Sequence, residues 1–181
     1  FIQPEYIETL WMLILEAGRE FDILACGLAA RDSLRAGAVL PLSHQDIGRW
    51  PFINTPWPFA LPYDDDMNTF TKEFTGSKAL TQIEDPDFTY GFVGLNLRKV
   101  PAGENTQVID QSGAVIGSVL TCATDMAIGW VEGKIYSISS PDKPETFFPK
   151  GLSCGFIKVS KPLDPGTELT LQEGKRKIKV L

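Results

Sequence analysis

The run "CGLAARDSLRAGAVLPLSHQDI", Cys26 to Ile47, gathers the side chains most able to do chemistry. Arg31 and Asp32 sit beside small apolar residues, and Arg35 follows Arg31 by about one helical turn. A guanidinium in that setting is either paired or open to an anion, because its planar fork matches a carboxylate in two parallel hydrogen bonds. For Arg31 the two readings are a clamp on a ligand carboxylate and an intramolecular ion pair with Asp32 or a neighbouring element, and the local pattern by itself favours the pair. His44, the one histidine, has the titration range of a general base. No nucleophile or ligand spacing surrounds it, so a surface or packing role is expected.

The remaining polar motifs are weaker. "DDD" at Asp64–Asp66 lacks the alternating ligands, glycine and closing glutamate of a calcium loop and reads as a solvated acidic loop. "GFVG" at Gly91–Gly94 lies in strand-like sequence and is too short for a dinucleotide fingerprint. Cys26, Cys122 and Cys154 are odd in number and far apart, which offers neither a disulfide framework nor a metal knuckle and suggests a reducing compartment. No metal site is expected.

These residues need elements to hold them. In "PEYIETLWMLILEAGR" the residues Ile7, Leu10, Trp11, Ile14 and Leu15 recur on one helical face, with Pro4 at the first turn and Gly18 at the end. A second helix is expected from Leu28 to about Ala36, with Ala29, Ala30 and Leu34 as its apolar face and Pro41 limiting its length. Prolines 51, 56, 58 and 62, interleaved with Trp50, Phe52, Trp57, Phe59 and Tyr63, read as an ordered connector whose rings bury area. "TGSKALTQIED" from Thr75 reads as a short helix, with Thr75 or Ser77 as its candidate cap. Beyond Asp87 the period changes to two: "TYGFVGLNLRKV", "TQVIDQSGAVIGSVLTC", "GFIKVS" and "TELTLQEGKRKIKVL" alternate apolar and polar residues and are separated by "QSG", "DPG" and "EGK" turns. That is the pattern of a small barrel or sandwich, with Pro141–Pro149 as a loop hung on it. The fold class expected is α+β, with helices before about Asp85 and an antiparallel β-barrel after Pro86.

At 181 residues, 43% apolar and 22% charged, the chain has the composition of a soluble globular protein. A net charge of −6 argues against a nucleic-acid footprint, since neutralising phosphates takes clustered Lys and Arg. The one basic cluster, "KRKIKV", alternates with apolar residues and reads as a strand with one wet face. No run of about 18 apolar residues and no signal-peptide pattern is present, so no membrane partner and a cytoplasmic location are expected.

Taken in order, "LW", "GLAARDSLR", "QDI", "TP", "FTGSKAL", "VGL", "GAVIGSV" and "PGTELTL" resemble the aminomethyltransferase family, the glycine-cleavage T-protein and its tetrahydrofolate-dependent relatives. The resemblance covers nearly the whole chain, and "GLAARDSLR" is its specific part. It implies a folate-binding core of two related α/β subdomains followed by a C-terminal β-barrel, and transfer of a one-carbon unit to tetrahydrofolate. On that reading residues 1–85 are the C-terminal part of the folate-binding domain and 86–181 the barrel. Arg31 matches an arginine associated with the folate site, which makes it the expected substrate- or cofactor-binding residue. The catalytic aspartate and the acid that helps hold the pterin belong to the family's missing start, so no catalytic residue is assigned here. The implied partners are a missing N-terminal half or a second copy of the chain, together with a methyl- or aminomethyl-carrier protein.

The departures from the family pattern are specific. Ala36 and Gly37 replace its Leu-Glu, Ser43 and His44 its Tyr-Gly, Pro58 an acid and Tyr63 a tryptophan, while "LTCATD" stands for "TSGxxSP". They imply a divergent branch, such as one serving corrinoid-dependent demethylation. The alternative is a noncatalytic binding or assembly module on the same scaffold.

Overall fold

The computed structural model describes residues 1–47, 61–64, 69–82 and 87–181. The division expected near Asp85, the rings at Trp50–Phe59, and Asp65 and Asp66 lie outside the described residues. The fold is α+β. Its described part forms two compact units, Phe1–Arg31 and Asp32–Leu181.

The first unit begins with a 3-10 turn, Pro4–Tyr6, that leads into helix α1, Ile7–Ala17. Proline at the start suits a turn that lacks intrahelical partners for its first N–H groups. Gly18 ends the helix by donating to the Ile14 carbonyl. The expected periodicity is realised, yet Ile7, Leu10, Trp11 and Ile14 are all exposed. Helix α2, Leu28–Gly37, carries the boundary between the two units, between Arg31 and Asp32.

The second unit is built on a curled, barrel-like antiparallel sheet. Its strands are β1 Phe88–Val93, β2 Gly103–Ile109, β3 Val115–Asp125, β6 Leu152–Val159, β7 Leu169–Glu173 and β8 Arg176–Val180. They lie in the order β1-β6-β3-β2-β7-β8. The two edges meet at one end, where Val93 and Leu181 exchange N–H···O=C bonds of 2.9 Å in both directions and Gly94 bridges Val180. Pairing edge to edge satisfies groups that would otherwise template aggregation. The core is the inner face: Phe92, Val108, Val119, Ile157, Leu171 and Val180 are among its buried members. Each large apolar side chain buried there contributes on the order of 1.5–3 kcal/mol.

Turn chemistry sets the registers. The Glu132-Gly133 loop has positive φ at both residues and joins a small separate hairpin, β4 Ile128–Val131 and β5 Lys134–Ser137. This hairpin falls in "IGWVEGKIYS", a stretch absent from the expected strands. Gly174 takes positive φ at the first position of the two-residue β7–β8 loop. In the "QSG" turn the Asp110 carboxylate accepts from the N–H groups of Ser112 and Ala114, each at 3.0 Å, and from Lys161 Nζ at 2.6 Å. Within "KRKIKV", Arg176–Val180 form β8 and Lys175 belongs to the turn before it; Lys177 and Lys179 form the wet face, as expected.

The Asp110 carboxyl is held well below the ordinary carboxylate range, chiefly by Lys161 and then by Ser112. A lowered folded pKa contributes stability above the unfolded value of about 3.9 and loses it as pH falls through the folded value. Acid titration below about pH 4 is therefore expected to loosen the β2–β3 turn, read as faster exchange of the Ala114 amide, and Asp110→Asn is expected to remove that pH dependence. A Cβ at Gly155 would lie 1.9 Å from the Thr121 carbonyl oxygen. Gly155→Ala is expected to destabilise the protein by about 1–3 kcal/mol or more in denaturant melts, the cost of overpacking against backbone.

Candidate functional site

Arg35, Asp46 and Thr121 form one buried polar cluster, exposed by 7%, 0% and 3% respectively. Arg35 comes from α2, Asp46 from the π-helical turn Ser43–Ile47, and Thr121 from β3. Arg35 Nε donates to Asp32 Oδ1 at 2.9 Å, Nη1 to Asp46 Oδ2, and Nη2 to Thr121 Oγ1 at 3.0 Å. Thr121 in turn donates to Asp46 Oδ1 at 2.6 Å, and the Leu42 N–H donates to Asp46 Oδ2 at 2.8 Å. Gln45 Nε2 completes the set, donating to Thr121 Oγ1 and to the Leu120 carbonyl at 3.0 and 2.7 Å. Burial opposes the Arg35 charge, but hydrogen bonds to Asp32 and Asp46 outweigh it and hold the guanidinium above its ordinary value. Each nitrogen of the fork has a partner, so this cluster is a clamp that fixes α2 and the π turn to the sheet.

Three local features bring those side chains together. The chain leaves α2 through a reversal in which the Leu40 N–H reaches back to the Arg35 carbonyl at 2.8 Å and the Val39 N–H to the Ala36 carbonyl at 3.2 Å. Val39 occupies the left-handed region at φ 55°, costly for a β-branched residue. It seats against Gly91, where a Cβ would stand 3.1 Å from its Cγ1. Gly37 lets α2 approach β3, since a Cβ there would meet Asp125 Oδ2 at 1.9 Å. The third feature is a β-bulge. Val119 faces Ile157 but Thr121 faces Phe156, which leaves Leu120 as an extra residue. In a regular strand Thr121 would share the core face with Val119; the extra residue turns Thr121, Ala123 and Asp125 to the α2 side. Ala36 packs there with Ala123 and Cys154, and Ser33 Oγ donates to the Thr124 carbonyl at 2.5 Å.

The structure redistributes the residues singled out in the sequence. Asp32 pairs with Arg35 rather than Arg31. Arg31 is exposed and enters no ion pair among the described residues. The apolar face expected of α2 is not the buried one: Leu34 is 69% exposed, whereas Arg35 and Ala36 are buried. Clamp geometry decides this, because the fork must point where Asp46 and Thr121 are. His44 is exposed within the π turn. Asp64 caps its own loop, accepting from the hydroxyl of Thr69 at 2.7 Å, and no metal-binding group occurs among the described residues. Burial pushes the Cys154 thiol up to about 11 and raises Cys122 as well, which makes both poor nucleophiles. Sequence reasoning missed the roles of Arg35, Asp46, Gln45 and Thr121; the spacing of Arg35 three residues after Asp32 was the available signal.

Beside the clamp lies a mostly apolar, half-open hollow of about 430 Å³, with Ala36, Val39, Tyr90, Phe92, Ile135 and Cys154 in its lining. No described helix is long and apolar enough to cross a membrane.

No family model matches the chain. Curated relatives do. An aminomethyltransferase of Anoxybacillus flavithermus is 43% identical over 75 residues, 40% of this chain and 20% of that protein. The aminomethyltransferase of Symbiobacterium thermophilum is 31% identical over 121 residues, 67% of this chain and 31% of that protein. That of Flavobacterium psychrophilum is 33% identical over 133 residues, 71% of this chain and 35% of that protein. The chain thus matches between 20% and 35% of the length of these relatives.

Removing one partner of the clamp leaves the other charge buried. Asp46→Ala is expected to cost about 3–5 kcal/mol in urea unfolding, and adding Arg35→Met to it is expected to restore part of that loss. A double variant no more stable than Asp46→Ala would count against charge burial as the cause.

Proposed function

We propose that this chain, which belongs to the aminomethyltransferase family, forms the C-terminal portion of a tetrahydrofolate-dependent methyl- or aminomethyltransferase. Residues up to about 85 then close the folate-binding domain, and the barrel-like sheet is the family's C-terminal domain. The observation that carries this reading is the division of labour between two arginines one turn apart. Arg35 is consumed by the clamp, while Arg31 stands exposed in "ARD" with its fork available. That fork suits a carboxylate of the kind a glutamyl tail carries. The pterin is assigned to no described residue. Bound folate would supply the nitrogen that accepts the one-carbon unit; the part of Arg31 is to bind and orient. The replacements at Pro58, Tyr63 and "LTCATD" support a divergent branch, with corrinoid-dependent demethylation as one such role. The clamp occupies part of that last segment, through Thr121.

A second reading, a noncatalytic assembly module, draws on α1, whose exposed Trp11 and neighbours suit association with another surface. Partners under the first reading are the N-terminal portion of such a transferase, supplied in the same chain or separately, and a methyl- or aminomethyl-carrier protein. The two readings separate experimentally. In the complete protein Arg31→Ala is expected to weaken tetrahydrofolate binding by about 1–3 kcal/mol in calorimetry with the circular dichroism unchanged, the scale of a lost charged hydrogen bond. Unchanged affinity would return Arg31 to the surface role. Methyl transfer that appears when the chain is combined with the N-terminal portion of a family member supports the transferase, and its absence under saturating folate supports the assembly module.

A further inference from the structure

We propose that the seam between Leu95–Arg98 and β8 receives an extended acidic segment of a partner protein.

Charge is the first observation. The segment Leu95–Arg98 separates two adjoining hollows of about 260 and 560 Å³. Arg98, Lys150, Lys177 and Lys179 line them, and no carboxylate does. None of these four cations makes an ion pair among the described residues. In a chain of net charge −6, such a cluster is a local reversal of sign that attracts and orients an acidic partner.

The backbone supplies the second. Leu181 turns both its N–H and its C=O toward β1, where Val93 takes them. By strand alternation Lys179 and Lys177 turn theirs to the same side, away from β7. The β1–β8 contact ends at the Gly94–Val180 bridge, because the chain bends out of strand at Leu95–Arg98. An edge opened in this way at Lys177 can pair with an extended peptide. Lysines flank it, the residue type that keeps such an edge from pairing with neutral strands while admitting an acidic one.

Apolar surface is the third. Leu95 and Leu97 are exposed next to the cations, beside a Trp130 ring anchored by its indole N–H donating to the Gly94 carbonyl at 3.1 Å. An alternating acidic and apolar segment paired at Lys177 therefore meets Lys177, Lys179, Arg98 and Leu95 in one hollow, with Leu97, Trp130 and Lys150 across the Leu95–Arg98 segment in the other. A small free anion would use only the cations.

Fluorescence anisotropy with a labelled peptide that alternates Glu and Leu tests this on the protein at low ionic strength. Saturable binding is expected, weakened at least about tenfold by Lys177→Glu with Lys179→Glu. Lys72→Glu with Lys78→Glu, an equal change of net charge at exposed sites elsewhere, is expected to leave it within about twofold. On the unaltered protein, the same peptide with N-methylated backbone is expected to bind at least about tenfold more weakly, and amide exchange at Lys177 is expected to slow with the unmethylated peptide bound. Equal binding of the N-methylated peptide, or full displacement by equimolar tripolyphosphate, would reduce the seam to a charge patch and overturn the proposal. So would no binding of the unmethylated peptide.

Discussion

The described part of the second unit is organised around one buried ion pair, Arg35 with Asp46. A guanidinium and a carboxylate taken out of water are stabilising only when their remaining donors and acceptors are also satisfied. Here Asp32, Thr121 and the Leu42 amide meet that condition, which draws helix, π turn and strand to one point. The constraint is geometric as well as energetic. The fork is planar, so the three elements that answer it have little freedom to rotate. Strain at Val39 and the closeness of Gly37 to Asp125 are tolerated because the clamp over-determines the path between α2 and the turn.

The clamp also requires an irregular strand. Thr121 reaches Arg35 only because the extra residue Leu120 reverses the parity of β3 midway. One strand thereby serves two cores. Its first half puts Val119 into the barrel-like interior, and its second half puts Ala123 against α2. Gly155 opposite the bulge provides the clearance that the Thr121 carbonyl needs. Sheet closure follows a similar economy. The edges join over Val93 and Leu181 and part again at Leu95, so closure and an open seam arise from one bend.

Family membership gains physical meaning from this arrangement. "GLAARDSLR" is the specific part of the resemblance, and within it the structure separates a scaffold residue, Arg35, from an exposed one, Arg31. Similarity alone treats both arginines as one motif. Burial tells them apart: Arg35 is buried with a partner on each nitrogen of its fork, whereas Arg31 is exposed.

Periodicity and turn residues were enough to read much of the architecture. The 3.6-residue pattern from Ile7 marks α1, the two-residue alternation after Asp87 marks the sheet, and the "EGK" glycine places the β7–β8 hairpin, because these signals are local and depend on backbone geometry alone. The β4–β5 hairpin escaped the pattern: Gly129 and Glu132-Gly133 interrupt a run only four residues long on each side. Local signals thus carry the class of each long element and the family to which the motif order points. Which face of α2 is buried, which arginine is consumed, and that Asp46 lies beside Thr121 were decided only in three dimensions. The partners are 11 to 86 residues apart in the chain, and a one-residue bulge leaves no periodic trace yet inverts which side chains meet.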